Sequence, residues 1–166
     1  MQTLAPLKPA RPARIGLFAI GLEAYWAQFP GLKERLEGYL REVEQLLAAS
    51  GDTLVSAGLV DTAPRAAEAG ALFASSDVDL IFCHAATYAT SSQVLPVVQR
   101  ARAPVIVLNL QPSPRLDYET CDTGEWLANC SACCVPEIAN AFARARVPCH
   151  VISGMLHGDA AAAGEI

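Results

Sequence analysis

The chain holds six cysteines, and the most closely spaced of them, Cys130-x-x-Cys133-Cys134, form the pattern with the most chemistry in it. A C-x-x-C pair can supply half of a structural zinc site or the dithiol of a redox centre. A zinc site of that type takes two such pairs, and this chain has one, so the fold would have to bring Cys83 and Cys121 near it. A redox dithiol commonly opens an early helix, whereas this pair opens a late one. The expected role of Cys130, Cys133 and Cys134 is therefore packing as reduced thiols, each acting as a small hydrophobe.

His84 and His157 both fall at the ends of predicted strands, where they could meet over one site, while His150 lies inside a strand and reads as a packing residue. Two histidines without an acidic cluster suit neither Mn2+ nor Mg2+, which take carboxylate oxygens. The phosphate-cradling patterns G-x-x-x-x-G-K-[ST] and G-x-G-x-x-G are absent, as is the nucleophile pattern G-x-S-x-G.

A third set follows the predicted strands and mixes aromatic rings with amides and one carboxylate. Glu23, Tyr25, Trp26 and Gln28 come after the first strand, Tyr88 after the third, and Asn109 and Gln111 at the end of the fourth. Amides and carboxylates pair well with hydroxyl groups, which both donate and accept, so this set suits a neutral polyhydroxylated ligand. Taken singly, each of these residues also reads as an ordinary loop residue with its polar atoms satisfied.

The elements that must position these groups follow from hydrophobic periodicity. A continuous apolar run at 15–20 predicts a buried strand, and the short apolar-rich segments at 53–57, 78–83, 104–109 and 148–153 predict four more. Between them, Leu32, Leu36, Leu40, Val43 and Leu47 recur at helical spacing, with Pro30 in the expected first turn and Gly51 as the stop. Asp61-Thr62 with Pro64 opens a second helix, Ser91 or Ser92 a third, and residues 129–145 form a fourth. The alternation predicts a doubly wound α/β fold, a five-stranded parallel sheet of flavodoxin-like order 2-1-3-4-5. Its ligands would gather at the carboxyl ends of the strands. The connection over residues 110–128 is long for a loop, which marks it as functional or mobile.

Composition bounds the partners. With 12 Lys+Arg against 17 Asp+Glu the net charge is −5, which argues against binding to a nucleic-acid backbone or to an anionic membrane surface. The apolar share is 52% and the charged share 17%, so disorder is excluded and strands buried on both faces are expected. Pro6, Pro9 and Pro12 alternate with Lys8, Arg11 and Arg14, and no apolar signal core follows, so residues 1–13 read as a flexible leader of a cytoplasmic protein. Residues 14–158 then form one domain. Residues 159–166, with Asp159 as cap, begin a short helix expected to lead toward domains further along.

Several segments resemble the L-arabinose/L-fucose isomerase superfamily. They are Gly16-Leu17-Phe18, Gly21-Leu22-Glu23-Ala24-Tyr25-Trp26 and Gln28-Phe29-Pro30-Gly31-Leu32, then Asp79-Leu80-Ile81-Phe82-Cys83-His84 with Ala89-Thr90-Ser91-Ser92 and Leu95-Pro96-Val97-Val98-Gln99. Residues 104–111 and Val135-Pro136-Glu137-Ile138-Ala139-Asn140-Ala141 complete the series. The resemblance implies the first domain of a three-domain aldose–ketose isomerase acting on a pentose or 6-deoxyhexose. It implies a homo-oligomer in which this domain lines a neighbouring subunit's pocket. It also implies Mn2+ held by glutamates and histidines of later domains, with no metal ligand or catalytic residue here and no activity from this chain alone. By position, Glu23 replaces a substrate-contacting glutamine of arabinose isomerases, Asn109 falls near a histidine that reaches the neighbour's sugar, and Gln111 keeps its amide. The other expectation, from the residues alone, is a stand-alone module binding a small ligand or a partner.

Overall fold

The computed structural model describes residues 11–166, so most of the leader, residues 1–10, lies outside the described residues. Strands and helices alternate as β1 (Arg14–Ile20), α1 (Leu32–Ala48), β2 (Thr53–Val60), α2 (Ala63–Ser75), β3 (Leu80–His84), α3 (Ser91–Ala101), β4 (Val105–Gln111), α4 (Thr123–Ala128), α5 (Ser131–Ala145), β5 (Cys149–Met155) and α6 (Ala160–Glu165). All neighbouring strands pair in parallel, in the order β2-β1-β3-β4-β5. This is the doubly wound, flavodoxin-like sheet that the apolar runs predict.

Successive strand residues point to opposite faces, and each face has its own helical cover. Phe18 and Ile20 of β1, Ile81 and Cys83 of β3, and Val105 and Val107 of β4 pack beneath α2, α3 and α5. Leu17 and Ala19, Phe82, and Leu108 and Leu110 pack beneath α1, α4 and α6. Helix α1 turns Leu32, Leu36, Leu40, Val43 and Leu47 to the sheet, the spacing seen in the sequence.

Some boundaries differ from the expected ones. Pro30 lies outside α1, because Gly31 caps that helix at φ +84, a conformation glycine adopts without steric cost. Strand β2 continues past Ala57 to Val60 because a bulge accommodates Gly58 at φ +73, so that Leu17 pairs with Ser56 but Ala19 with Leu59. The 110–128 connection is not one loop. Strand β4 runs through Gln111, paired with Met155, and Asp122 caps α4 by accepting from the Glu125 N–H at 2.7 Å. A helix of six residues is too short for periodicity to reveal. His150 is exposed on the edge strand β5, not packed in the core.

The described end of the leader is tied to the domain. Arg11 grips Asp79 with two hydrogen bonds of 2.9 and 3.0 Å, and the Arg14 N–H donates to the same carboxylate at 2.8 Å. That backbone bond, then Arg11, holds the Asp79 carboxyl below its usual pKa range. At the other end Asp159 accepts from Ala161 and Ala162 N–H groups and caps α6 as expected. Among the described residues no helix is long and apolar enough to cross a membrane.

Helices α2 and α3 approach closely at Gly70. A β-carbon there would lie 2.9 Å from the Pro96 carbonyl oxygen and 3.1 Å from that of Val97, both backbone atoms that cannot swing aside. Gly70→Ala should destabilise the domain by about 1–3 kcal/mol despite alanine's better helix propensity. Urea unfolding of the two proteins measures it, and equal midpoints would refute the close approach.

Candidate functional site

The order β2-β1-β3-β4-β5 reverses direction between β1 and β3, and the crevice at the carboxyl ends of these two strands is where such sheets place ligands. Residues 21–31 and 85–90 flank it. A single 3₁₀ turn over Glu23–Tyr25 starts the first segment, anchored by the Gly21 N–H on the Val60 carbonyl at 3.0 Å and the Glu23 N–H on the Asp61 carbonyl at 3.2 Å. Tyr25 packs edge-on to Trp26 and Phe29, with ring centroids 6.4 and 6.1 Å apart, and burial, then the charges of Tyr88 and Cys134, raises its pKa. The Tyr88 hydroxyl donates to Glu137 Oε2 at 3.3 Å, and the Glu137 charge is the first reason its pKa is also raised. Glu137 Oε1 in turn accepts the Ser91 N–H at 2.8 Å, so one carboxylate ties α5 to the start of α3.

The remaining sequence candidates are not all in this crevice. The Trp26 indole N–H donates to Asp61 Oδ2 at 2.8 Å, and Lys33 Nζ lies 3.4 Å from the same oxygen and 5.7 Å from the ring centroid. Trp26 is thus occupied by a nearly buried carboxylate at the end of β2. Glu23 is exposed and lines a groove with Lys33, Asp61 and Arg65 toward the β2 edge. Gln28 donates to the Ala24 carbonyl at 2.6 Å and lines a different groove of about 760 Å³, between the start of α1 and residues 115–125. Asn109 turns to β5, donating to Ser153 Oγ at 3.0 Å. Tyr25 and Tyr88 stand on the two segments that flank the crevice, packed against opposite core layers, while Glu23 and Gln28 line separate grooves and Asn109 turns to β5.

Gln111 organises the far side of the crevice. Its Nε2 donates to the Asn129 carbonyl at 2.8 Å and its Oε1 accepts from Ser131 Oγ at 3.1 Å. One amide therefore grips the residues on both sides of Cys130. Here the structure corrects the expectation of reduced thiols: Cys130 and Cys133 form a disulfide, with Cα atoms 5.7 Å apart. Cys130, the N-cap of α5, is buried, whereas Cys133, within the first turn, is exposed. The chain's turn into a helix places i and i+3 on one side, which C-x-x-C spacing alone permits but does not require. Cys134 behaves as expected for a packing thiol. It is buried, its S–H faces the Ser131 and Thr87 carbonyls at 3.3 and 3.5 Å, and burial pushes its pKa up to about 11. Cys83 is completely buried, and that burial raises its thiol pKa well above the usual value.

The 760 Å³ groove also holds residues the sequence did not single out. Arg35 forms an ion pair with Glu125 and donates through Nε to the Tyr39 hydroxyl at 2.6 Å, while Arg115, Asp117 and Thr120 line the opposite wall. The Arg35 hydrogen bond holds the Glu125 carboxyl below its usual range. Arg35 was hidden as one charge on the polar face of α1, and only the arrival of α4 gives it a carboxylate partner.

The histidines do not meet. His157 Nδ1 pairs with Glu42 Oε2 on α1 at 3.0 Å, at the surface. His84 is buried at the end of β3 with Nδ1 unpartnered, and burial lowers its pKa to about 4. Among the described residues no three His, Cys, Asp or Glu side chains converge as a metal site, and the neutral, enclosed imidazole of His84 has no carboxylate beside it to complete one. These residues do not fit Mn2+. Compared with models of known protein families and with curated proteins, the chain matches none.

An unfolded His84 takes up a proton as pH falls below 6.5, whereas the folded one does so only near 4. Its contribution to stability is thus complete above pH 6.5 and is lost as pH falls toward 4. Between pH 7 and pH 5 the wild type should lose about 2 kcal/mol more stability than His84→Leu. Urea titrations at the two pH values decide it; parallel losses in both proteins would place the pH dependence elsewhere.

Proposed function

We propose that the chain is the first α/β domain of an aldose–ketose isomerase-like protein, lining the pocket for a pentose or 6-deoxyhexose. The observation that carries this reading is the concentration of aromatic rings, amides and carboxylates at the carboxyl end of a 2-1-3-4-5 sheet that has no phosphate loop. Tyr25, Tyr88 and Gln111 follow or end strands β1, β3 and β4 at the carboxyl edge, and Glu23 and Gln28 line two separate grooves. Of these, the groove that Gln28 lines, about 760 Å³, is of a size to admit one monosaccharide, and it is separate from the crevice. In this reading the protein works in the cytoplasm as a homo-oligomer, and Tyr118 and Trp126, exposed beside the groove, are of the type enriched in interfaces. In this reading Mn2+ would be held by residues of later domains, where it would supply the charge that polarises the sugar's oxygens.

The test is a nuclear magnetic resonance titration of the chain with a panel of pentoses and 6-deoxyhexoses, alongside an isomerase assay with Mn2+. The side-chain amide signals of Gln28 and Gln111 should shift with at least one sugar, without turnover. Absence of any shift across the panel would overturn the pocket reading. Turnover by the pure chain would overturn the division of labour between domains.

A further inference from the structure

Cys130 and Cys133 occupy a position that packing alone does not account for. Their disulfide sits at the amino end of α5, a helix of 15 residues, on the rim of the carboxyl edge of the sheet. The two residues have different surroundings: Cys130 is buried, 3% exposed, while Cys133 is an exposed residue. No side chain caps the helix, so the first-turn N–H groups around Cys130 are without a side-chain acceptor. Unpaired amides and the helix dipole at that end favour a thiolate over a thiol.

Two further features bear on how the pair could open and close. Pro136 lies inside α5 and has no N–H to donate to the carbonyl of Ala132, four residues earlier and between the two cysteines. The first turn is therefore held by fewer bonds than a regular helix. Gln111 meanwhile fixes the residues on either side of Cys130, at Asn129 and Ser131, through hydrogen bonds that do not involve the disulfide. The neighbouring thiol, Cys134, points inward to the Thr87 and Ser131 carbonyls and leaves the exposed face to Cys133 alone.

We propose that Cys130 and Cys133 form a thiol–disulfide exchange site, with Cys133 as the entry sulfur and Cys130 as the resolving one, acting on an accessible disulfide R–S–S–R. In the reduced protein, deprotonated Cys133 attacks one sulfur of the incoming disulfide. A Cys133–S–S–R bond forms, the R–S–S–R bond breaks, and the departing thiolate takes up the proton lost by Cys133. The Cys130 thiolate then attacks Cys133 Sγ, forming the intramolecular disulfide and expelling the second R–S⁻, which takes up the Cys130 proton. Two electrons pass from the cysteine pair to R–S–S–R, yielding two R–SH. A dithiol reductant returns the pair to its starting state by the reverse exchange, attacking exposed Cys133 and releasing Cys130 as the thiolate at the helix end, the better leaving group. This inference does not rest on the sugar-binding reading. In a reducing compartment, paired cysteines are commonly transient and catalytic rather than structural.

The experiment uses the full chain, reduced with dithiothreitol and freed of it. One arm receives oxidised glutathione and the other insulin, which separates a small disulfide from a protein one. Thiols are then trapped by alkylation and mapped by mass spectrometry. Loss of either substrate disulfide in step with closure of the Cys130–Cys133 bond supports the proposal, and the arm that responds identifies the size of the partner. In glutathione buffer, Cys130→Ser should collect a stable glutathione adduct on Cys133. Cys133→Ser should label at Cys130 at least tenfold more slowly, since that sulfur is enclosed. If neither substrate is reduced, if the wild-type bond yields to dithiothreitol only on unfolding, or if the two single variants label equally fast, the proposal is overturned. The wild-type measurement stands even if a serine variant fails to fold.

Discussion

Parallel strands are joined by crossovers that lay a helix over the sheet, so the central strands of this domain have no face left for water. Leu17, Phe18, Ala19 and Ile20 of β1 are completely buried, and Ile81, Phe82 and Cys83 of β3 nearly so. Two separate apolar layers result, one beneath α2, α3 and α5 and the other beneath α1, α4 and α6. Closeness of cover is what makes Gly70 indispensable between α2 and α3, and it is why His84, the last residue of β3, is held neutral. Removing water from both faces leaves polar chemistry only at the strand ends.

That restriction makes the carboxyl edge a crowded place, where each polar group is shared among elements. Glu137 joins α5 to the start of α3 and to Tyr88. Asp61 holds Trp26 and Lys33 at the end of β2. Gln111 fixes the entry to α5 on both sides of Cys130. Such bridges position the loops with few charges, as suits a chain in which charged residues are scarce. They also mean that a residue near the crevice is not automatically free for a ligand, as Trp26 illustrates. The sugar-facing and thiol-facing chemistry proposed for this edge use different side chains, and Gln111 is the group that touches both.

Hydrophobic spacing was enough to read five strands, the major helices and their order in the sheet, since burial imposes a period on the residues it involves. The α1 stripe from Leu32 to Leu47 and the caps at Thr62 and Asp159 are legible because each rests on neighbours within a few residues. Short or irregular features carried too little period to be seen: α4 spans fewer than two turns, and the bulge at Gly58 looks like a strand's end. His150 looked like a core residue from its place in an apolar run, but β5 is an edge strand and leaves it in water.

The sequence by itself determined the period of each segment, the types of group at the strand ends and the fold that follows from alternating them, because these depend on local geometry and on burial. Only the tertiary structure decided which of those groups meet. Tyr25 packs on Phe29 and Tyr88 donates to Glu137 while Trp26 is taken by Asp61; His84 is enclosed while His157 pairs with Glu42; Cys130 and Cys133 bond while Cys134 turns inward. These outcomes depend on side-chain direction and on contacts between residues far apart in the chain, and residue spacing carries no record of either.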